Sequence, residues 1–358
     1  MNGQSSAPKP PQGIFLISYA RTASNLLCKI LALEEQPRAF SNESNGYYFR
    51  SAFLPHWMTG NPYRPLGERS TDEVQEMQSV YQQCYENLER ESNACLEQGK
   101  IFFFKEHAPW FSNPAAISEW LGEPAGHPKS AFQVRPVGVD EGSSSQTPTQ
   151  TWSKENHTIL CDEILQKWRP VFLIRHPALA FPSYYRATLE VHKGGKAHSS
   201  EMMPLLRASM TLRWNRFIYD WACRFDPHPL MLDADDVILN QAAIVQFCED
   251  IGLDSTRLRF SWDPSADSRA QLSGSPEEYA ARATFKNIFG KTLLNSSGIL
   301  RTKSQTHVDI AAEAEKWKTE FGPEMAAFVE KAVREAMPDY EYLRARRSYE
   351  RISEGVSG

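Results

Sequence analysis

Short apolar segments alternate along the chain with longer segments in which apolar residues recur every three or four positions. The short runs predict strands at residues 14–18, 100–105, 170–174 and 229–233. The helical spacing predicts helices at residues 24–35, 72–98, 158–167, 205–224, 242–251 and 313–337, with another after Pro177. Strands that alternate with helices indicate an α/β protein of three layers, in which helices flank a mainly parallel sheet.

Changes in composition suggest where the folded part of the chain begins and ends. Residues 1–12 are polar and predict a flexible N-terminal tail, residues 13–345 predict a single domain, and residues 346–358 predict a C-terminal tail. We expect insertions in this domain near residues 45–95 and 122–156. The second insertion is poor in apolar residues and rich in Ser, Thr and Gly, so we expect it to be exposed.

The overall composition excludes some classes of function. A net charge of −5 over 358 residues argues against a general nucleic-acid-binding protein, whose surface is usually basic. The N-terminus has no apolar signal core, and no apolar run approaches the roughly 20 residues that span a bilayer, so we expect a cytoplasmic protein without a membrane partner. The six cysteines form no C-x-x-C pair, which favours reduced thiols and no metal site. A small-molecule partner is compatible with all of this, and the sequence carries no signal for an oligomeric state.

The first candidate for chemistry is the loop between the first strand and the first helix. A helix start offers unpaired N–H groups and about half a positive charge to an anion. The loop lacks the G-x-x-x-x-G-K-S/T pattern that binds a Mg²⁺-bound triphosphate. We expect an anion to contact the polar residues that follow the strand, namely Arg21, Thr22, Ser24 and Asn25. The alternative is an ordinary strand and helix, in which Ser24 or Asn25 is only the N-cap.

The second candidate lies at the end of the strand that begins at residue 100. Lys105 and His107 are two residues apart, so they share one face of an extended chain, and Glu106 points to the other face. A histidine there suits general-base chemistry, and a neighbouring lysine lowers its pKa. Trp110 follows directly and is our candidate for the wall of a substrate pocket. The alternative is a surface histidine at a strand end.

The third candidate combines Arg175, at the end of a strand, with Ser183, two helical turns later. An arginine and a serine that converge on one phosphate explain this spacing. The alternative is a structural salt bridge for Arg175 and a helix-surface hydroxyl for Ser183. All three candidates follow predicted strands, and ligands of parallel sheets bind beyond the carboxyl ends of the strands. We therefore expect them to share one crevice.

Together these segments resemble the family of sulfotransferases that use 3′-phosphoadenosine-5′-phosphosulfate (PAPS), and are similar to its fungal members. Residues 20–25 stand where the family has its P-K-S-G-T-T loop. Residues 105–109 match its K-T-H-x-P strand end apart from Glu106, and residues 175–185 match its R-x7-S-Y-Y element. The resemblance covers roughly residues 14–340 and implies a P-loop nucleotide-binding-like fold.

The resemblance also implies a reaction and a set of site residues. A sulfuryl group would pass from PAPS, without a metal, to a hydroxyl or amine of a small organic acceptor in secondary metabolism. His107 would be the base, and Lys105 and Arg21 would steady the reacting oxygens. PAPS would contact residues 21–26, Arg175 and Ser183, and a late loop in which Gly298 and Arg301 are the best candidates. The acceptor pocket would include Tyr47, Phe53 and Trp110.

Two alternative functions remain open at this stage. Ala23 replaces the glycine of the family loop, Glu106 replaces its threonine, and the late loop has no clean match, so the protein could be a diverged pathway enzyme or binder with altered PAPS chemistry. Asp233, which ends an apolar run, could instead hold Mg²⁺ in a nucleotide kinase or hydrolase. The competing interpretation of Asp233 is an acid that caps the next helix.

Overall fold

The computed structural model describes residues 13–52, 64–137, 150–191, 202–264 and 283–349, apart from residues 125, 285, 286 and 306. Several sequence predictions lie outside the described residues: the N-terminal tail at 1–12, Phe53, and parts of both insertions and of the C-terminal tail at 54–63, 138–149 and 350–358. In the part of the chain that is described, no helix is long and apolar enough to cross a membrane.

Five strands among the described residues form one parallel sheet, with the order β2-β3-β1-β4-β5. They are β1 (Gly13–Ser18), β2 (Ala39–Phe40), β3 (Ile101–His107), β4 (Arg169–Ile174) and β5 (Leu230–Asp233). In the register, Ser18 lies opposite His107. Strands β1 and β3 therefore end side by side at the centre of the sheet, as expected for an α/β protein.

Both faces of the sheet are covered, as the alternating side chains of β1 show. Phe15 and Ile17 pack into the core on one face, whereas Ile14 and Leu16 pack into the core on the other. Successive residues of a strand point to opposite faces, so a strand buried on both sides must be apolar throughout. Each such side chain contributes roughly 1.5–3 kcal/mol through burial. The predicted three-layer α/β fold is confirmed.

Helices connect the strands and cover the two faces. In chain order they include α1 (Ser24–Leu31), α2 (Thr71–Glu97), α3 (Ala108–Phe111), α4 (Pro114–Leu121), α5 (Asp162–Leu165), α6 (Pro177–Val191), α7 (Met203–Ser209), α8 (Arg213–Ala222), α9 (Ala234–Leu239), α10 (Gln241–Asp250), α11 (Lys291–Leu294), α12 (Ile310–Phe321) and α13 (Pro323–Arg344). Short 3-10 turns lie at Leu33–Glu35, Leu66–Glu68, Lys129–Phe132, Ser255–Arg257 and Arg301–Lys303.

Several predicted helices are shorter or divided. The helix predicted at 24–35 ends at Leu31, because Ala32 takes the left-handed conformation with φ 46°. The helix predicted at 313–337 is two helices, α12 and α13, separated by Gly322 with φ 80°. The helix predicted at 205–224 likewise divides into α7 and α8. Backbone geometry at single residues, which the apolar spacing does not encode, sets these ends.

The helix predicted at 158–167 is mostly a turn, and only α5 is helical there. The Thr158 hydroxyl lies 2.8 Å from Asn156 Oδ1 and 3.0 Å from the Leu160 carbonyl oxygen, and it can donate its proton to either. Local side-chain bonds of this kind compete with the helical pattern. The prediction of a ten-residue helix was therefore wrong.

The described part of the second insertion is not exposed throughout. Phe132 and Val134 are completely buried in the core. The Val134 amide donates to the Ile159 carbonyl at 3.0 Å, and Gln78 of α2 donates to the Gln133 carbonyl at 3.1 Å. Two apolar side chains in a polar segment are enough to fix it against α2, because each gains burial while its neighbours stay hydrated.

Packing continues past the end of α13. The Ser348 amide donates to the Met231 carbonyl at 2.9 Å, and the Met231 amide donates to Ser348 Oγ at 2.9 Å. The Tyr349 hydroxyl donates to Asp250 Oδ2 at 2.7 Å, and its ring joins the core. The last described residues thus pair with β5, the edge strand of the described sheet.

Candidate functional site

A cavity of about 380 Å³ lies beyond the carboxyl ends of the central strands. The structure brings residues from all three candidate segments to its wall, so they share one crevice as predicted. The predicted site residues that line it are Arg21, Ala23, Ser24, Asn25, Leu26, Tyr47, His107, Trp110, Arg175, Ser183 and Gly298. Three others, Thr22, Lys105 and Arg301, are not on the wall, and Phe53 lies outside the described residues.

The start of α1 faces this cavity through a strained loop. Arg21 and Ala23 both take the left-handed conformation, with φ 72° and 66°. This conformation costs a residue with a Cβ about 1–2 kcal/mol. No side chain caps α1, so neither Ser24 nor Asn25 is the N-cap that the alternative interpretation required. Strain and an uncapped helix start together are typical of a ligand site.

Thr22 and Tyr19 hold this loop from behind. The Thr22 hydroxyl is buried and donates to the Tyr19 carbonyl at 3.0 Å, so its side chain serves the loop rather than the cavity. The Tyr19 hydroxyl donates to the Arg175 carbonyl and accepts from the Arg175 amide at 3.1 Å. The loop after β1 and the end of β4 are therefore tied together through one buried phenol.

Two arginines lie side by side next to the start of α1. Arg21 donates to Ser183 Oγ at 3.0 Å and to the Phe289 carbonyl at 2.6 Å. Arg175 donates to the Arg21 carbonyl at 2.9 Å and to the Lys303 carbonyl at 2.7 Å. Burial and then the charge of Arg175 lower the pKa of Arg21 to about 10. An anion placed between the two guanidinium groups would relieve their repulsion and bind both.

This geometry differs from the alternative interpretation of the third segment, which was a structural salt bridge for Arg175 and a helix-surface hydroxyl for Ser183. The bonds that the structure gives the Arg175 side chain go to backbone carbonyls, and Ser183 accepts from Arg21 rather than lying on a helix surface. The late loop reaches the same place, because Gly298 lines the cavity and pairs with Ser261 as an isolated bridge. In that loop Lys303 lines the cavity, whereas Arg301 is exposed and does not.

His107 is buried between two hydroxyl groups. Its Nδ1 lies 3.0 Å from Ser18 Oγ, and its Nε2 lies 3.4 Å from the Tyr47 hydroxyl. Burial, and then the charges of Lys105 and Arg21, lower its pKa to about 3. The imidazole is therefore neutral near pH 7 and free to accept a proton. The alternative of a surface histidine is wrong, since only 7% of His107 is exposed.

A constrained turn brings Tyr47 to the histidine. Gly46 has φ 124°, and a Cβ there would lie 2.2 Å from the Lys105 carbonyl oxygen, so glycine alone fits. Asn42 Oδ1 accepts from the Gly46 amide at 2.7 Å and fixes the turn. Tyr47 itself has φ 60°, which is unusual for a bulky residue. Its ring contacts His107 and Trp110, with centroids 5.1 and 5.0 Å away.

Lys105 lies behind this wall rather than on it. Its Nζ donates to Asn25 Oδ1 and lies 4.6 Å from the centre of the Tyr47 ring. The lysine is almost completely buried. Its charge therefore acts on the cavity through Asn25 and Tyr47, across a medium of low dielectric constant in which Coulomb interactions are strong.

Glu106 points to the opposite face of β3, as strand parity predicts. Its Oε1 accepts from the Phe49 amide at 3.3 Å, close to the turn that carries Tyr47. Burial raises the pKa of this carboxyl to about 8. The Glu106 carboxyl is therefore mostly neutral near pH 7, and it lies across the sheet from the cavity. It does not oppose an anionic ligand there.

Replacing Glu106 with glutamine is expected to flatten the pH dependence of the free energy of unfolding. The folded-state pKa is about 8, above the ordinary value of 4.5, so Glu106 stabilises the fold at low pH and this contribution is lost as the pH rises through 8. Urea unfolding from about pH 5 to 9 should show the wild type losing up to about 4 kcal/mol relative to Glu106→Gln. The matched control Glu76→Gln changes an exposed glutamate of α2 and should keep the wild-type slope. Equal slopes in all three proteins would contradict the assignment.

The sequence did not single out several other residues that line the cavity. Phe289, Glu313 and Trp317 line it, together with Tyr184 and Arg186 of α6. Trp317 belongs to the apolar stripe of its helix, so the sequence offered only the signal of a core residue. Trp110 lines the cavity as predicted, whereas Trp214 donates to the Ala208 carbonyl at 3.0 Å within the core.

Asp233 has a structural role at the end of β5. It is the N-cap of α9, and its Oδ1 accepts from the Asp235 amide at 3.0 Å. Its Oδ2 accepts from the Tyr340 hydroxyl at 2.8 Å. These bonds match the helix-capping interpretation of this acid.

Fold and cavity together define an α/β protein in which an uncapped helix start and a buried neutral histidine line one cavity. No family model matches the chain. Two fungal proteins are similar over nearly their whole length, and both are named sulfotransferase ppzF. The protein of Metarhizium rileyi (strain RCEF 4871) is 38% identical over 96% of this chain and 98% of its own. That of Metarhizium majus (strain ARSEF 297) is 38% identical over 94% of this chain and 97% of its own.

The chain therefore belongs to the sulfotransferase family. A solved structure, the sulfotransferase domain from the curacin biosynthetic pathway, aligns with 87% of this chain and 97% of that domain. The identity is 13% and the TM-score is 0.37. Membership confirms the resemblance that the three segments indicated, and gives the protein a transferase role.

Proposed function

We propose that the protein transfers a sulfuryl group from PAPS to a hydroxyl or amine of a small organic acceptor, with His107 as the general base. The observation that carries this proposal is the shared cavity. One wall holds the start of α1 and two partly buried arginines, and another holds a buried histidine with a pKa near 3. Binding of an anionic donor and removal of a proton thus fall within one cavity.

The donors of the cavity fit PAPS, which carries a 5′-phosphosulfate and a 3′-phosphate. The start of α1 and Arg21 suit the phosphosulfate, because they combine backbone N–H groups with a forked cation. Arg175, Ser183 and Lys303 suit the 3′-phosphate, since they line the neighbouring wall. PAPS supplies the sulfuryl group: a bond forms from its sulfur to the acceptor oxygen or nitrogen, and the bond to the phosphate oxygen breaks.

The protein's own groups manage the proton and the charge. His107 Nε2 takes the proton of the acceptor, because this nitrogen faces the hydroxyl of Tyr47 at the cavity wall. Arg21 stabilises the negative charge that develops on the leaving phosphate. Lys105 stabilises the same charge through Asn25, to which it donates.

We propose an aromatic, in particular a phenolic, acceptor. Tyr47 and Trp110 present rings beside His107, and Trp317 lines the cavity as well. A flat acceptor gains burial and offset ring contacts on such a wall. Phe53, predicted from the sequence, stays a proposed member of this pocket.

A diverged protein that no longer uses PAPS is the second candidate, and Ala23 is the observation that favours it. Its φ of 66° is the conformation for which the family loop uses glycine, so the loop stores strain that could weaken the contact with a phosphosulfate. The two candidates differ in whether the adenosine bisphosphate product binds.

Calorimetry with 3′-phosphoadenosine-5′-phosphate tests the proposal on the full chain. We expect binding with a Kd in the low micromolar range or below, and much weaker binding of adenosine-5′-phosphate, which lacks the 3′-phosphate. Release of the bisphosphate from PAPS in the presence of phenolic acceptors should continue in EDTA. No heat at high micromolar ligand would favour the diverged protein, whereas Mg²⁺-dependent turnover of ATP would favour a kinase or hydrolase.

A further inference from the structure

Ser18 is a buried residue that contacts His107 from outside the cavity. It is the last residue of β1 and lies opposite His107, the last residue of β3, in the register of the parallel pair. Its hydroxyl lies 3.4 Å from the Glu106 carbonyl oxygen, to which it can donate, and 3.0 Å from His107 Nδ1. The serine is completely buried, so water does not satisfy this hydroxyl.

The single proton of Ser18 links two possible arrangements of the site. A neutral imidazole carries its proton on one nitrogen and accepts at the other. If Ser18 donates to the Glu106 carbonyl, its oxygen accepts from Nδ1–H, and Nε2 accepts from the Tyr47 hydroxyl. In that arrangement all three observed contacts are hydrogen bonds.

The opposite tautomer makes fewer bonds from the same contacts. Ser18 would donate to Nδ1, and Nε2–H would donate to the Tyr47 oxygen. The contact from Ser18 to the Glu106 carbonyl would then lack a proton, so two bonds would form in place of three. Unsatisfied polar groups are costly in a buried site, because water cannot replace the missing partner. The larger number of hydrogen bonds therefore favours the tautomer with its proton on Nδ1.

We propose that Ser18 is a positioning residue that holds His107 in the Nδ1–H tautomer, so that Nε2 is the nitrogen that accepts a proton. This inference rests on the proposed role of His107 as the base. In the reaction, the acceptor hydroxyl or amine takes the place of the Tyr47 hydroxyl at Nε2, its proton moves to this nitrogen, and the resulting imidazolium keeps its Nδ1–H bond to Ser18. The proton returns to solvent after the product leaves. The wrong tautomer would present N–H to the acceptor and could not remove its proton.

The low basicity of the ring is consistent with this role. Burial and two neighbouring cations keep His107 neutral near pH 7. A neutral ring carries its proton on only one of its two nitrogens, so its tautomer matters for the reaction. The titratable groups that face it are Lys105 on its own strand, Arg21 of the loop after β1, and Tyr47. None of these three fixes Nδ1, because the contact of that nitrogen is with Ser18.

Long-range ¹H–¹⁵N correlation spectra of protein labelled with ¹⁵N-histidine test the proposal directly. Of the nine histidines, the ring of His107 is assigned by the signals that His107→Gln removes. Spectra are recorded near pH 7 for the wild type, Ser18→Ala and Ser18→Thr, which keeps the hydroxyl. The matched control is Ser92→Ala, because Ser92 also accepts a bond from a buried ring, Trp168 Nε1–H, at 2.9 Å and lies outside the cavity.

We expect wild-type His107 to carry its proton on Nδ1, and Ser18→Ala to change the tautomer ratio by about fivefold or more. Ser18→Thr should restore the ratio, and Ser92→Ala should leave it unchanged even if both alanine variants lose similar thermal stability. A wild-type ring protonated on Nε2 would overturn the proposal, as would an unchanged ratio in Ser18→Ala. The wild-type spectrum decides the matter even if Ser18→Ala does not fold. Because the spectra need no ligand, they are independent of whether PAPS binds, which calorimetry tests.

Discussion

Replacing His107 with glutamine is expected to lower kcat for sulfuryl transfer by about 10²- to 10⁴-fold, the usual contribution of a general base. Glutamine has a similar volume but cannot accept the proton. The loss should appear in kcat, measured with PAPS and a phenol that the wild type accepts. Affinity for 3′-phosphoadenosine-5′-phosphate should change by less than about twofold, since the arginines that suit the phosphates are untouched.

His157→Gln is the matched control for this experiment. His157 is partly buried and has a pKa that burial lowers, but it stacks on Phe217 and does not line the cavity. It should keep wild-type kcat. In the wild type the rate should also lack a histidine step between about pH 5 and 8, because His107 becomes protonated only near pH 3. Activity in His107→Gln within a few-fold of the wild type would show that another group takes the proton.

Arg175→Ala is expected to weaken binding of 3′-phosphoadenosine-5′-phosphate by about 2 kcal/mol, or roughly 30-fold, the usual value of a hydrogen bond between charged groups. Arg175→Lys should lose part of this, because lysine keeps the charge but not the fork. Calorimetry on the three proteins measures the effect. Thermal unfolding separates it from a loss of structure, since Arg175 also donates to the Arg21 and Lys303 carbonyls.

Arg169→Ala is the matched control, because it removes the same positive charge from the strand that precedes Arg175. Arg169 begins the same strand, and its side chain donates to a backbone carbonyl, that of Asp250, at 2.8 Å. It is remote from the cavity and should leave affinity unchanged. If Arg175→Ala and Arg169→Ala bind the bisphosphate equally well, Arg175 has no role in phosphate binding, and its contacts with the two loops are its whole function.

The sequence predicted well those features that depend on neighbours along the chain. Apolar runs located four of the five described strands within two residues and missed β2, which has only two residues. The alternation of side chains along β3 correctly predicted that Glu106 points to the face opposite that of Lys105 and His107. Because the strands are parallel, residues that follow strands β1, β3 and β4 had to meet at one edge, and Arg21, His107 and Arg175 do line one cavity. Order along the chain and strand direction were enough for this step.

The sequence predicted less well which side chain in each segment reaches the cavity. Thr22 and Arg301 have suitable chemistry, yet the first bonds a carbonyl of its own loop and the second is exposed. Lys303, two residues later, lines the cavity instead of Arg301. Trp317 was indistinguishable from a core residue. Direction within a loop depends on backbone angles and on contacts with distant segments, and a one-dimensional pattern contains neither.

The sequence by itself determined the alternation of strands and helices, and hence the parallel sheet and the segments that gather at its carboxyl end. Apart from the effect of the neighbouring Lys105, tertiary structure decided the chemical state of the site. Burial and the approach of Arg21 and Lys105 make His107 a neutral group, and the register of β1 with β3 places Ser18 against its Nδ1. Propensity and periodicity are local, whereas pKa and tautomer depend on charges and hydrogen bonds between residues about 90 positions apart.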